Sequence, residues 1–211
     1  MKKTILLLFV LSIYSALYAS IWRVNNDPNV SSDFKTLQEA INNASAGDTL
    51  YVEGTQFDYL CDSITKQLVI YGPGYFLAEN DSLAYQPAPA VVKGTNGTID
   101  IRENAAYTKI YGLKITPGSR INVLANHITI ARNYIDLPNL DRLEIKDHVS
   151  YTCIKQNYIN GNIELNNSLN NLFNNYSFIK EYKINEIIDL YLNSNVSSQK
   201  IVEKLIVKFL L

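Results

Sequence analysis

The sequence predicts an all-β fold in which strands coil into a solenoid, with one amphipathic helix at the start and a helical tail at the end. Three observations predict it. Charge is sparse while turn and β-forming residues are abundant, a short helix breaks through Gly-Asp into a strand, and similar segments recur at about 20 residues. Charged residues make up 18% of the 211-residue chain, which carries 15 Tyr and many Asn. That balance favours strands joined by tight turns over a helical bundle.

The chain opens with MKKTILLLFVLSIYSALYAS. Lys2 and Lys3 form a positive start, Ile5 to Leu11 an apolar core, and Leu17-Tyr18-Ala19 a cleavage site, which is the layout of a secretory signal peptide over residues 1–19. The competing reading is an uncleaved N-terminal anchor, since Leu17 is not the ideal small residue three before the cut. No later run is long and apolar enough to cross a bilayer, so the sequence predicts no transmembrane segment after signal removal. The expected location is secreted, periplasmic or cell surface. Losing Lys2 and Lys3 moves the net charge from −1 to −3, with 17 basic against 20 acidic residues. A nucleic-acid partner needs a concentrated basic face and is not expected.

Taking the elements in order, Ile21 to Val24 (IWRV) reads as a short strand. A helix follows over about 34–45, because Phe34, Leu37, Ile41 and Ala44 fall on one helical face. Ser32 or Asp33 is the expected cap, Lys35 and Glu39 the expected i,i+4 pair, and Gly47 the stop. DTLYVEG then makes a strand with Leu50 and Val52 on one face and Gly54 at its end. A lone helix ahead of many strands suits a lid, since a coil of strands has an open apolar end that one helix can cover.

The remainder repeats irregularly. LVIYGPGYFL and TKIYGLKIT share Ile-Tyr-Gly at Ile70 and Ile110, while HITIARNYI and YTCIKQNYI share an isoleucine followed by Asn-Tyr-Ile. NNLFNNYSFI echoes them, and the leading residues Ile110, Ile130, Ile154 and Leu172 set the steps. Such units cannot bury their apolar faces alone and must stack; leucine-rich repeats have similar periods but a different consensus.

The helix-to-strand entry resembles that of the right-handed parallel β-helix proteins of the pectin lyase-like group, secreted bacterial proteins of unassigned function included. The matching residues are Phe34, Thr36, Leu37, Gln38, Ala40, Ile41, Ala44, Gly47, Asp48, Thr49, Leu50 and Val52, with Gly54 one residue early. The resemblance covers Ile21 to Ile179 and implies a parallel β-helix domain over 20–179 with a capping helix. It also implies chemistry on acidic polysaccharides wherever enzymatic groups are present.

Candidate sites are few. Cys61 and Cys153 lack metal-ligand spacing, and in a coil they fall on distant turns, so both are expected free. Asn133, Asn157 and Asn175 occupy matching turn positions as an expected Asn ladder. Tyr134, Tyr158 and Tyr176 follow them and should point outward, either as a stabilising stack or as a platform for sugars. DLPNLDRLEIKDH holds the one suggestive constellation: Asp141, Arg142, Glu144, Lys146, Asp147 and His148. In a lyase, Lys146 or Arg142 is the base, with Asp141 and Asp147 near calcium. As an ordinary half-buried strand, Leu143 and Ile145 alternate with Arg142, Glu144 and Lys146. Adjacent Asp-Asp, Gly-His-Gly and Arg-x-Lys motifs are absent, and His127 and His148 read as isolated turn residues.

Beyond Ile179 the composition shifts. Tyr182, Ile187, Ile188 and Tyr191 suggest one helix of a tail over 180–211, and Ile201, Val202, Leu205, Ile206, Phe209 and Leu210 line a second. That face suits a C-terminal cap, a membrane-surface or partner helix, or the end of a prematurely closed reading frame. The sequence assigns no catalytic, cofactor or metal residue. It leads to a secreted protein with either a structural or a surface and carbohydrate-binding role, for the second of which polysaccharide or cell-surface glycan is the expected partner. The alternative is a truncated or degenerate polysaccharide lyase or hydrolase, for which alone calcium is expected.

Overall fold

The computed structural model describes residues 19–75, 88–116, 118, 120–137, 142–166, 168, 171–174 and 181–182. Residues 1–18, Asp141, Asn175, Tyr176 and the tail beyond Tyr182 lie outside them. The strands, numbered in chain order, form three sheets. Sheet A holds β1 (Ile21–Val24), β2 (Thr49–Val52), β5 (Val69–Tyr71), β8 (Lys109–Tyr111), β11 (Thr129–Ala131), β14 (Cys153–Lys155) and β17 (Leu172–Asn174). Sheet B holds β3 (Tyr59–Cys61), β6 (Val91–Gly94), β9 (Lys114–Ile115), β12 (Tyr134–Asp136) and β15 (Tyr158–Asn160). Sheet C holds β4 (Ser63–Ile64), β7 (Thr98–Ile101), β10 (Arg120–Val123), β13 (Arg142–Ile145), β16 (Asn162–Leu165) and β18 (Glu181–Tyr182).

From β2 to β17 every third strand returns to the same sheet and pairs in parallel with its predecessor, so the chain is a parallel β-solenoid. The sequence repeat showed a strand, a turn and a strand. The third strand of each turn, in sheet C, escaped it because TIDI, RINV, RLEI and NIEL share an apolar second and fourth position but no fixed motif such as Ile-Tyr-Gly or Asn-Tyr-Ile.

Register explains the repeats that were visible. The inward positions stack directly: Leu50, Ile70, Ile110, Ile130 and Ile154 pair in succession on the inner side of sheet A. Val92, Ile115, Ile135 and Ile159 do the same in sheet B, and Ile99, Ile121, Leu143 and Ile163 in sheet C. All of these residues are buried and belong to one continuous core. At one point the sequence reading slips. Phe173, not Leu172, pairs with Ile154, whereas Leu172 lies opposite Cys153 and is 55% exposed. A shift of one residue exchanges inner and outer faces, which is why apolar character alone misplaced it.

The shared Ile-Tyr-Gly has a steric cause. Gly72 and Gly112 follow the paired Tyr71 and Tyr111, and a Cβ added to Gly112 would stand 2.5 Å from the Gly72 carbonyl oxygen. Gly112 also has φ +65°, a left-handed value that Arg132 (+56°) and Gln156 (+55°) adopt at the same corner in later turns. The left-handed residue is thus the one before each ladder Asn, not the Asn itself.

The corner between sheets A and B is filled by the expected Asn ladder. Asn133 and Asn157 are buried. Leu113 N donates to Asn133 Oδ1 (3.0 Å), Asn133 Nδ2 donates to the Ile110 carbonyl (3.0 Å), and Asn133 N donates to Asn157 Oδ1 (2.8 Å). Asn157 Nδ2 in turn donates to the Ile130 carbonyl (2.8 Å). Each amide therefore satisfies backbone groups that the sharp corner withdraws from the strand ladders.

At the front, α1 (Leu37–Asn43) buries Leu37, Ala40 and Ile41 in the core. Its cap is Thr36, whose hydroxyl accepts from Glu39 N (3.2 Å), rather than Ser32 or Asp33. Lys35 does not reach Glu39; its ammonium donates to the carbonyls of Asp27 and Val30. Lys35 precedes the cap and lies outside the helix, so helical i,i+4 spacing does not apply to it. The helix ends at Asn43, and Gly47 (φ +94°) makes the later turn into β2.

Asp48, the residue after that glycine, ties the entry together. Its Oδ1 accepts from Ser20 N (2.7 Å), and its Oδ2 from Trp22 Nε1 (2.8 Å) and Ser45 N (2.9 Å). Burial opposes its charge, but the bonds from Trp22, Ser20 and Ser45, with the Lys66 ammonium, outweigh burial and hold the carboxyl below its ordinary value. At the far end Tyr182, read as helical from its sequence, pairs with Ile163 in β18. Among the described residues no helix is long and apolar enough to cross a membrane.

Two outcomes follow. Asn133→Ala removes bonds to buried backbone groups and is expected to cost about 3 kcal/mol in urea denaturation, against about 0.5 kcal/mol or less for the exposed Lys155→Ala. A depressed carboxyl stabilises the fold above the unfolded aspartate value of about 3.9 and loses that contribution as pH falls through the lower folded value. Urea midpoints of the wild type should therefore fall in that acid window, and Asp48→Asn should show a flatter fall over the same window.

Candidate functional site

The outer faces of the three sheets differ in chemistry, because each outward residue stands on its counterpart in the next turn. On sheet C one column runs Thr98, Arg120, Arg142, Asn162, and its neighbour runs Ser63, Asp100, Asn122, Glu144, Glu164. Opposite charges lie side by side. Arg102 pairs with Asp100 (2.9 Å), Arg142 Nε lies 3.0 Å from Glu164, and Lys146 Nζ lies 2.6 Å from Glu144 Oε1.

Glu144 is the centre of this cluster and is buried, unlike the surface residue that strand alternation predicts. Arg142 approaches it at 3.4 Å, and Asn166 Nδ2 donates to its Oε1 (2.7 Å). Burial disfavours its charge, yet the Lys146 hydrogen bond and the charges of Lys146, Arg142 and Arg120 prevail and hold the carboxyl below the ordinary glutamate value. The two cations that a lyase would use as base thus converge on an internal carboxylate. Asp147 and His148 form the exposed turn that follows, with His148 at φ +65°.

Calcium would need several oxygen ligands converging on one point. Among the described residues no group of three or more His, Cys, Asp or Glu side chains is placed to hold a metal ion, and Asp147 is exposed. Asp141, the other expected ligand, lies outside the described residues.

On sheet B, Tyr134 and Tyr158 point outward above the buried Ile135 and Ile159. Their rings lie 4.8 Å apart and within 5° of parallel, with Lys114 Nζ 5.4 Å from the centre of the Tyr134 ring and Tyr75 against its side. Both rings are half-buried. A sugar packs on a ring face, and here the faces that the two rings turn to each other are occupied.

A second stack stands at the corner leading into sheet A. His127, far from isolated, lies between Tyr107 (4.5 Å, 5°) and Tyr151 (4.7 Å, 3°). All three take left-handed backbone angles, φ +66°, +58° and +61°. The sequence concealed this column because its members differ in identity and share only their place two residues before a strand.

Sheet A presents the exposed aromatic row. Tyr51, Tyr71 and Tyr111 pair in succession, with Tyr51 39% and Tyr71 44% exposed. The Tyr71 and Tyr111 rings are 5.6 Å apart and tilted by 50°, so they do not cover one another. The repeated Ile-Tyr-Gly was the available signal. The alternation that buries Ile70 and Ile110 sends the following tyrosines outward.

Both cysteines are free. Cys61 faces the core of sheet B, where burial pushes its thiol up to about 12, and Cys153 lies on the outer side of sheet A. Comparison of the chain with family models, curated proteins and solved structures gave no match.

Proposed function

We propose that the mature chain is a secreted protein, periplasmic or at the cell surface, that holds a glycan without cleaving it. In this reading the solenoid is a right-handed β-helix of the pectin lyase-like kind, α1 caps its first turn, and the helical tail covers its last. Support for the cap comes from Leu37, Ala40 and Ile41, which join the core beside the first strands. The N-terminal signal layout supports export.

The observation that carries the proposal is a contrast between outer faces. Arg142 and Lys146, the groups suited to lyase chemistry, are engaged by Glu144 and Glu164, whereas Tyr51 and Tyr71 stand exposed in a row. A base for proton abstraction has to be within hydrogen-bond reach of a substrate proton, and Lys146 instead points its ammonium at a buried carboxylate.

The test is an incubation of the purified secreted chain with acidic and neutral polysaccharides, with and without calcium. Binding is read by calorimetry, and cleavage by absorbance of unsaturated products and by reducing ends. Binding without cleavage is expected. Product formation that Lys146→Ala abolishes would replace this reading with a lyase, and failure of a folded chain to bind any glycan would remove it.

A further inference from the structure

The first strand is fastened to the second beside a buried carboxylate that only neutral donors reach. Ser20, one residue ahead of β1, is held at both ends. Its carbonyl accepts from Thr49 N (2.8 Å), and its own N–H donates to Asp48 Oδ1 (2.7 Å). Ile21 then pairs with Thr49, which starts the register of β1 on β2. Asp48 is itself fixed: Val69 N donates to its carbonyl (3.0 Å), and Trp22 Nε1 and Ser45 N donate to its Oδ2. Two bonds thus hold the carboxylate by one oxygen, with the other turned to the Ser20 nitrogen.

A buried carboxylate is stabilised by a complete set of hydrogen bonds, a cation, or both. Asp48 has the hydrogen bonds, but among the described residues no ammonium or guanidinium lies within ion-pair distance of it. Lys66 acts on it from the loop ahead of β5, yet its ammonium donates to the carbonyls of Asn42 (2.9 Å) and Ala44 (2.8 Å). A counter-ion is missing at the position where a backbone nitrogen stands.

That nitrogen belongs to the residue after the expected cleavage site, Leu17-Tyr18-Ala19. Ala19 and Ser20 are exposed, so removing the chain ahead of Ser20 uncovers no core. Hydrolysis of the Ala19–Ser20 amide by a signal peptidase consumes one water. The C–N bond breaks, the water oxygen stays on carbon to give the Ala19 carboxylate, and both water hydrogens end on nitrogen to give the Ser20 ammonium.

We infer that signal-peptide removal places the new ammonium of Ser20 on Asp48 Oδ1, so that the mature N-terminus becomes the counter-ion of this carboxylate and locks β1 onto β2. The inference rests on the export part of the reading above and is independent of any glycan. Before cleavage the contact is a neutral hydrogen bond; afterwards the same two atoms carry a charge-assisted one, the shorter and stronger kind. β1 is the terminal strand of sheet A, with β2 as its neighbour in that sheet, so its hold on β2 decides how readily that end of the coil frays.

An ammonium beside a carboxylate is harder to deprotonate, so the folded amine titrates above the ordinary α-amino range of about 7.7–8.0. Its contribution to stability is full below that range and is lost as pH rises through the folded value. The other ionisable groups on the elements packed here are Arg23 of β1, paired with Glu53, the exposed Glu39 of α1, Tyr51 of β2, Tyr71 of β5 and Lys66. Side chains of these types ordinarily titrate outside the range of about pH 7–9.

The experiment compares the secreted chain with the same chain extended by Leu17-Tyr18-Ala19, in which Ser20 N stays an amide and the free amine lies three residues away. Intact mass of the exported protein should give a start at Ser20. At pH 7 the mature chain should melt about 2–4 °C above the extended one, and the gap should close as pH rises to about 10. Asp48→Asn should abolish the gap. The wild type gives a second measurement that needs no variant: acetylation of the Ser20 amine, followed against pH on the N-terminal peptide by mass spectrometry. Deprotonation should require about a tenfold lower proton concentration than a free α-amine does. A start at Ser20 with equal melting of the two forms, or with an amine that titrates in the ordinary range, would overturn the docking and leave export standing. An exported chain that starts at another residue would overturn it likewise. A chain that keeps residues 1–19 would remove the inference together with the export reading.

Discussion

Parallel strands in successive turns of this coil pair residue for residue, and that register governs the fate of every outward and inward side chain. Ile110, Ile130 and Ile154 form an unbroken aliphatic column because each is aligned with its predecessor. The same alignment brings Asn133 over Asn157 and Tyr134 over Tyr158. Any group that cannot tolerate its own kind one turn away must either alternate with a complementary group or leave the column. The charged residues of sheet C show the first solution, with Arg142 held between Glu144 and Glu164.

Corners impose the second constraint. Two of them use left-handed backbone in three successive turns, and the chain meets that need with different residues: glycine at position 112, then Arg132 and Gln156, and Tyr107, His127 and Tyr151 at the other corner. Non-glycine residues in this region are uncommon and carry a conformational cost. Here the cost is offset by contacts that the corner itself creates. Arg132 Nε donates to Gln156 Oε1 (3.2 Å), and the three rings at 107, 127 and 151 stack nearly parallel. Buried Asn133 completes the first corner by bonding the backbone groups that the bend exposes. Packing and backbone conformation are thus supplied by the same short segments.

Function depends on which faces this architecture leaves unoccupied. Stacked rings occupy one another's faces, and paired charges neutralise one another. Sheet A departs from that pattern. The rings of Tyr71 and Tyr111 are tilted against each other, and Tyr51 and Tyr71 stand exposed in the same column. Buried Glu144 shows the contrary case, a member of the one suggestive constellation in the sequence that is held by Lys146, Arg142 and Asn166.

By itself the sequence determined the β-solenoid, the helix near residue 37 and the strand after Gly47-Asp48, because alternation and helical periodicity are local properties of consecutive residues. It also identified Ile70, Ile110, Ile130 and Ile154 as equivalent, since identical environments in successive turns select the same residue. Identity of residue was its only guide to equivalence, however. Where a column mixes types, as with Tyr107, His127 and Tyr151, or where apolar neighbours compete, as with Leu172 and Phe173, no local pattern reveals the partner. The pairing of Ser20 with Asp48 across 28 positions and the convergence of Arg142 and Lys146 on Glu144 were decided by the tertiary structure. The reason is physical: which groups meet across turns depends on the length of every intervening loop, and these lengths vary from turn to turn.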